Sequence, residues 1–197
     1  MASALVTLTP EQLRNSIATT LAHRLPGDDI WVFGYGSLIW KPGFEATEQR
    51  NALVRGYHRS LCLWSRINRG SPIEPGLVFG LNRGGGCRGV AFRIAAKSVD
   101  TTFAALWDRE MMTGSYLPRW LRCVTPDGDI QALAFVINRD APGYAGELQE
   151  EELLSVVRRA HGRYGACVDY VMETVRALRN CGIHDHRLEH IVARLEA

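Results

Sequence analysis

Apolar positions along the chain fall into blocks of two periods, and the blocks predict strands interspersed with helices. The first is helical. Thr9-Pro10-Glu11-Gln12 forms a capping box with proline at the first turn, and Leu13, Ile17 and Leu21 then repeat on one face until Pro26-Gly27. Residues 30–33 are an apolar, β-favouring run that predicts a buried strand. That run breaks into Gly34-Tyr35-Gly36-Ser37 and turns apolar again at Leu38, Ile39 and Trp40. Two glycines around one tyrosine permit a close backbone approach, and main-chain N–H groups freed there can bind a carboxylate or a carbonyl oxygen. The same residues also suit a plain tight turn between two core segments.

Further along, residues 52–57 and 59–64 read as two strands, followed by a long loop over 65–76 that carries Arg66 and Arg69. Residues 77–81 and 89–94 read as a strand pair joined by the glycine-rich 82–86. That turn lacks the lysine and the following helix of a phosphate loop. Residues 119–125 and 129–137 read as a hairpin around Pro126-Asp127-Gly128. Two helical patterns follow, one from Glu147, the other carrying Val168, Val171, Met172, Val175 and Leu178 and ending near Gly182. The sum is an α+β domain of six or seven strands with helices to the side.

One position breaks the pattern. In the helix predicted over 98–112, with Ser98 or Asp100 as cap, Phe103, Leu106, Trp107 and Glu110 fall on one stripe. A carboxylate on an apolar stripe is costly to bury ionised, so it pairs with a base, carries a raised pKa or turns out to solvent. Arg109 projects about 100° away around the helix and reads as a poor partner. A misplaced glutamate of this kind marks a candidate acid/base site.

Composition narrows the function. At 197 residues, 46% hydrophobic and 22% charged, the chain suits one globular domain. A net charge of +2 with scattered arginines argues against nucleic acid, and no apolar run is long enough to span a membrane. The start, MASALVTLTPEQ, lacks the pattern of a secretory leader. Five cysteines, none in a C-x-x-C spacing, point to a reducing cytoplasm without disulfides or a zinc ribbon. His184, His186 and His190 form an H-x-H-x-x-x-H set that is weak evidence for a metal.

These motifs together carry a resemblance. WVFGYGSLIWKP over 31–42, Arg69-Gly70, Pro75-Gly76, WDREMMTGSYLPRW over 107–120, DYVMETVRAL over 169–178 and GIHDHRL over 182–188 resemble the ChaC family of gamma-glutamylcyclotransferases. The E-M-M-T-G-S-Y spacing is similar to the bacterial branch. The resemblance implies a small mixed β-barrel with flanking helices over 29–197, preceded by a helical extension over 1–28. It implies degradation of glutathione to 5-oxoproline and cysteinylglycine in the cytoplasm. It implies Glu110 as catalytic acid/base and Gly34, Tyr35, Gly36, Ser37, Leu38 and Ile39 as the substrate loop. Tyr116 and Tyr170 match tyrosines near the pocket, and Arg69 is a candidate partner for a substrate carboxylate. No cofactor, metal, nucleic acid, membrane or obligatory protein partner is expected. The alternatives are the same chemistry on other γ-glutamyl amino acids or γ-glutamylamines, or a non-catalytic binding module of the same fold.

Overall fold

Two-residue alternation in β1 (Ile30–Gly34) divides the molecule into a barrel interior and a back face. Phe33 joins Val54, Leu81 and Ala91 in one core cluster, while Ile30 and Val32 join a second cluster built on a helix. The computed structural model describes residues 7–197. The first six, which begin both the predicted 1–28 extension and the stretch without a leader pattern, lie outside the described residues.

Five strands close the barrel in the order β1, β3, β2, β4, β5. They are β1, β2 (Glu48–Ser65), β3 (Gly76–Ile94), β4 (Tyr116–Thr125) and β5 (Gly128–Ile137). Neighbours in that order run antiparallel. Closure comes from a parallel pairing of β1 with β5, Trp31 to Ala132 and Val32 to Leu133, and β3 meets β5 at Leu81 and Val136.

The strands differ from the sequence expectation chiefly in their continuity. Residues 52–57 and 59–64 belong to one strand, β2, and 77–81 and 89–94 to one strand, β3. The glycine-rich 82–86 is a bend within a paired strand and not a hairpin turn. Gly56 (φ 81°), Gly84 (φ 103°) and Gly85 (φ 72°) turn both strands at one corner, where the register slips between Arg55 and Tyr57. Between the two C-terminal helical patterns lies a miniature hairpin, β6 (His161–Gly162) with β7 (Gly165–Ala166).

α1 (Pro10–Leu21) has the predicted capping box, with Gln12 N–H donating to Thr9 Oγ1 at 3.2 Å and Thr9 N–H to Gln12 Oε1 at 2.8 Å. α2 (Val99–Glu110) starts at Ser98, which makes no side-chain cap bond, and buries Phe103, Leu106 and Trp107 against Val32, Leu133 and Phe135. α1 covers the outside of α2 through half-buried Leu13, Ile17 and Leu21, and the Trp107 indole N–H donates to Ser16 Oγ at 3.1 Å. α3 (Glu150–Arg159) and α4 (Cys167–Asn180) add Val157, Val171, Val175 and Leu178 to the other core cluster.

α5 (His186–Glu196) is absent from the sequence reading, which saw only histidines there. Its N-cap is Asp185, accepting from Leu188 N–H at 3.1 Å. His184 meets Glu189 at 3.1 Å and His190 meets Glu150 at 3.2 Å. Cys62, Cys87, Cys123 and Cys167 are buried and Cys181 is half-buried, all as free thiols. Among the described residues no helix is long and apolar enough to cross a membrane.

Candidate active site

The site begins where β1 stops. A Cβ at Gly34 would lie 2.9 Å from the Phe92 ring and 3.2 Å from Leu38 Cβ. Glycine alone therefore lets the following turn fold back onto the ladder. The chain then makes one turn of 3₁₀ helix over Ser37–Ile39, closed by Ile39 N–H to Gly36 C=O at 3.0 Å and Lys41 N–H to Ser37 C=O at 2.8 Å. The N–H groups of Gly36, Ser37 and Leu38 have no acceptor among the described residues.

That turn forms one wall of a cavity of about 300 Å³, mouth included. Tyr35 to Leu38 line it on one side, Phe79 and Phe135 supply apolar floor from β3 and β5, and Tyr116 and Tyr170 approach from β4 and α4. Glu110, the last residue of α2, enters from the end of the buried Phe103–Leu106–Trp107 stripe and is 16% exposed. Of the sequence-predicted residues, the fold thus brings Tyr35, Gly36, Ser37, Leu38, Glu110, Tyr116 and Tyr170 to one cavity. Gly34 and Ile39 stand behind the lining, Gly34 as a packing position and Ile39 against the barrel core. Arg69 also stands outside it. Its guanidinium lies 5.5 Å from the Tyr170 ring and 6.0 Å from that of Trp40, and donates to Ala166 C=O at 3.2 Å.

Burial raises the Glu110 pKa above the ordinary carboxylate value, and the charge of Arg109 opposes part of that rise. Here the sequence reading fails: Arg109 Nε lies 3.0 Å from Glu110 Oε1. The helix ends at Glu110, so the long arm of Arg109 is free to bend past the last turn. Its other nitrogens donate to Ser37 Oγ at 2.9 Å, Lys41 C=O at 2.5 Å and Pro42 C=O at 3.2 Å. One guanidinium therefore ties the glutamate to the 37–42 turn. Sequence spacing carries no signal for this contact, nor for Phe79 and Phe135, which read only as strand residues.

The tyrosines are not equivalent. Tyr35 OH donates to Phe135 C=O at 2.6 Å and Tyr116 OH donates to Phe79 C=O at 2.9 Å, so both protons are committed to the barrel backbone. Tyr170 OH accepts from Phe79 N–H at 3.1 Å and stands 3.3 Å from where a Gly36 Cβ would be. Burial pushes all three phenols up, which keeps them protonated at neutral pH.

A family model for ChaC-like proteins matches residues 30–197. The chain belongs to the ChaC-like family. A glutathione-specific gamma-glutamylcyclotransferase of Escherichia coli K12 is 33% identical over 187 residues, 94% of this chain and 81% of that protein. A glutathione-specific gamma-glutamylcyclotransferase 1 of Mus musculus is 34% identical over 170 residues, 83% of this chain and 76% of that protein. The crystal structure of a gamma-glutamyl cyclotransferase specific to glutathione from yeast superposes with a TM-score of 0.78 at 20% identity, covering 85% of this chain and 96% of that one. This ChaC-like chain shares that barrel.

Two outcomes follow from the electrostatics. Arg109→Gln removes the opposing charge, so the Glu110 carboxyl, followed by NMR titration, should titrate at higher pH than in the parent; an unchanged midpoint would detach Arg109 from the glutamate. Glu110→Gln should leave stability unaltered at low pH and be as stable as the parent or more so at pH 7. With the folded pKa raised, the carboxyl's contribution is fully present below the unfolded value of about 4.3 and is lost as pH rises through the folded pKa. Melting temperatures across pH 3 to 8 check the sign, and a variant that melts lower than the parent only at neutral pH contradicts it.

Proposed function

We propose that this ChaC-like chain cyclises the γ-glutamyl end of glutathione, releasing 5-oxoproline and cysteinylglycine. The observation that carries the reading is a largely buried carboxylate of raised pKa at the wall of a cavity, beside three main-chain N–H groups without an acceptor among the described residues. The names of the E. coli and mouse relatives support the choice of substrate.

The reaction is intramolecular. The substrate's α-nitrogen attacks its own γ-carbonyl carbon, a five-membered lactam closes, and the bond from that carbon to the cysteinyl nitrogen breaks. No water is consumed. Two protons leave the attacking nitrogen and two arrive on the departing one, so one carboxyl that accepts and then returns a proton serves both ends. Most of the rate advantage comes from holding amine and carbonyl in a near-attack geometry, which the apolar surface of Phe79 and Phe135 would favour. The N–H groups of 36–38, on residues that line the cavity, are our candidates to meet the negative charge that builds on the carbonyl oxygen. Arg69, beside the cavity on the Tyr170 and Trp40 rings, is our candidate partner for the carboxylate at glutathione's glycine end.

Purified protein incubated with glutathione should yield 5-oxoproline and cysteinylglycine in equal amounts, and Glu110→Gln should lower turnover by at least ~10² to 10⁴ while glutathione binding persists. Near-parental turnover in Glu110→Gln sinks the acid/base role. Arg69→Ala should raise KM for glutathione more than for a γ-glutamyl compound without the second carboxylate. Equal effects on both remove Arg69 from recognition.

A further inference from the structure

Arg59 lies in β2 with a side chain only 2% exposed. A guanidinium so deep requires matched acceptors, and its partners come from three distant parts of the chain. Nε donates to the Tyr35 carbonyl, Nη2 to the Arg88 carbonyl at 2.6 Å, and Nη1 to the Asp185 carboxylate. Asp185 is itself fixed, because its second oxygen caps α5. The start of the last helix is thereby tied, through one side chain, to the peptide that opens the substrate turn.

Stability is a weak reason for such a device. A buried ion pair is often no better for the fold than apolar residues of the same size. Its geometry gives a stronger one. The Tyr35 carbonyl belongs to the Tyr35–Gly36 peptide, which is trans. In a planar trans peptide the C=O and N–H leave opposite edges. A carbonyl drawn toward Arg59 therefore turns the Gly36 N–H away from Arg59. Tyr35 and Gly36 both line the cavity, and that N–H has no acceptor among the described residues.

We propose that Arg59, anchored by Asp185, is a positioning residue that aims the Gly36 N–H at the substrate carbonyl oxygen as it becomes negative. Arg59 touches no reacting atom. The inference rests on the cyclisation proposed for this cavity and adds to it the group that orients a charge-stabilising donor.

Steady-state kinetics on the full chain test it, with the folded fraction of each variant measured by circular dichroism. Arg59→Lys keeps a charge for Asp185 but loses the planar fork, so kcat per folded molecule should fall by ~10² with KM within about threefold. Asp185→Asn keeps the α5 cap, since asparagine caps as well as aspartate, but loosens Arg59, and should lower kcat by a smaller factor in the same direction. A residue that served only the fold would lower the melting temperature and leave kcat per folded molecule intact. Parental kcat in folded Arg59→Lys overturns the proposal, as does a rise in KM alone. Should Arg59→Lys not fold, parental kcat in Asp185→Asn overturns it instead. A parent that yields no 5-oxoproline from glutathione removes the underlying reaction, and the positioning role with it; a parent that turns over beside unaffected variants removes only the positioning role.

Discussion

The end of β1 is the constraint on which the site depends. A strand in a closed barrel normally runs on until its ladder is used up, yet here the backbone leaves at Gly34 and folds across the Phe92 ring, an approach that any Cβ would block. Because the chain turns there, the N–H groups of Gly36, Ser37 and Leu38 have no acceptor among the described residues, and those three residues line the cavity. Because β1 is paired on both sides, antiparallel to β3 and parallel to β5, the turn starts from a fixed point. The paired strands therefore set the position of the turn, as expected where a loop is held by a scaffold.

The second wall is set by helix packing. α2 lies on the back of the barrel with Trp107 wholly buried between Ser16 of α1 and Phe135 of β5, and the helix has no freedom to rotate without opening that contact. Its apolar stripe reaches Glu110, so the same packing that stabilises the helix also desolvates the carboxylate. Truncating a core tryptophan costs on the order of 3–5 kcal/mol, so the packing that desolvates the carboxylate is a strong anchor for the helix. Arg109 then limits the rise and holds the helix end to the 37–42 turn.

Glu110 and the Gly34–Leu38 turn were legible because both violate a local pattern: a charge on an apolar stripe, and a strand interrupted by glycines. The barrel corner was not legible as such, since Gly84-Gly85 has the same local chemistry as a hairpin turn and only the partner strand, bent at Gly56, shows that pairing continues through it. α5 went unseen because half of its face is given to His and Glu groups that answer to α3 and to the 184–185 segment. Arg109 and Arg59 escaped for a further reason. Both reach carbonyl groups far away in sequence, at Lys41 and Pro42 for one and Tyr35 and Arg88 for the other, and backbone carbonyls leave no mark in a residue pattern.

The buried cysteines bear on the chain's own chemical safety. Burial pushes the thiols of Cys62 and Cys87 up to about 11 and that of Cys123 up to about 12, and it raises Cys167 and Cys181 as well. At neutral pH only about one Cys62 or Cys87 in 10⁴ is then a thiolate, the form that attacks disulfides. The substrate proposed for this cavity is a thiol tripeptide, and a protein acting on it would work in contact with that compound and with its oxidised dimer. Thiols held protonated by burial attack either one slowly, so under that proposal changes in the surrounding redox balance would act on the pool of substrate before they act on Cys62, Cys87 or Cys123.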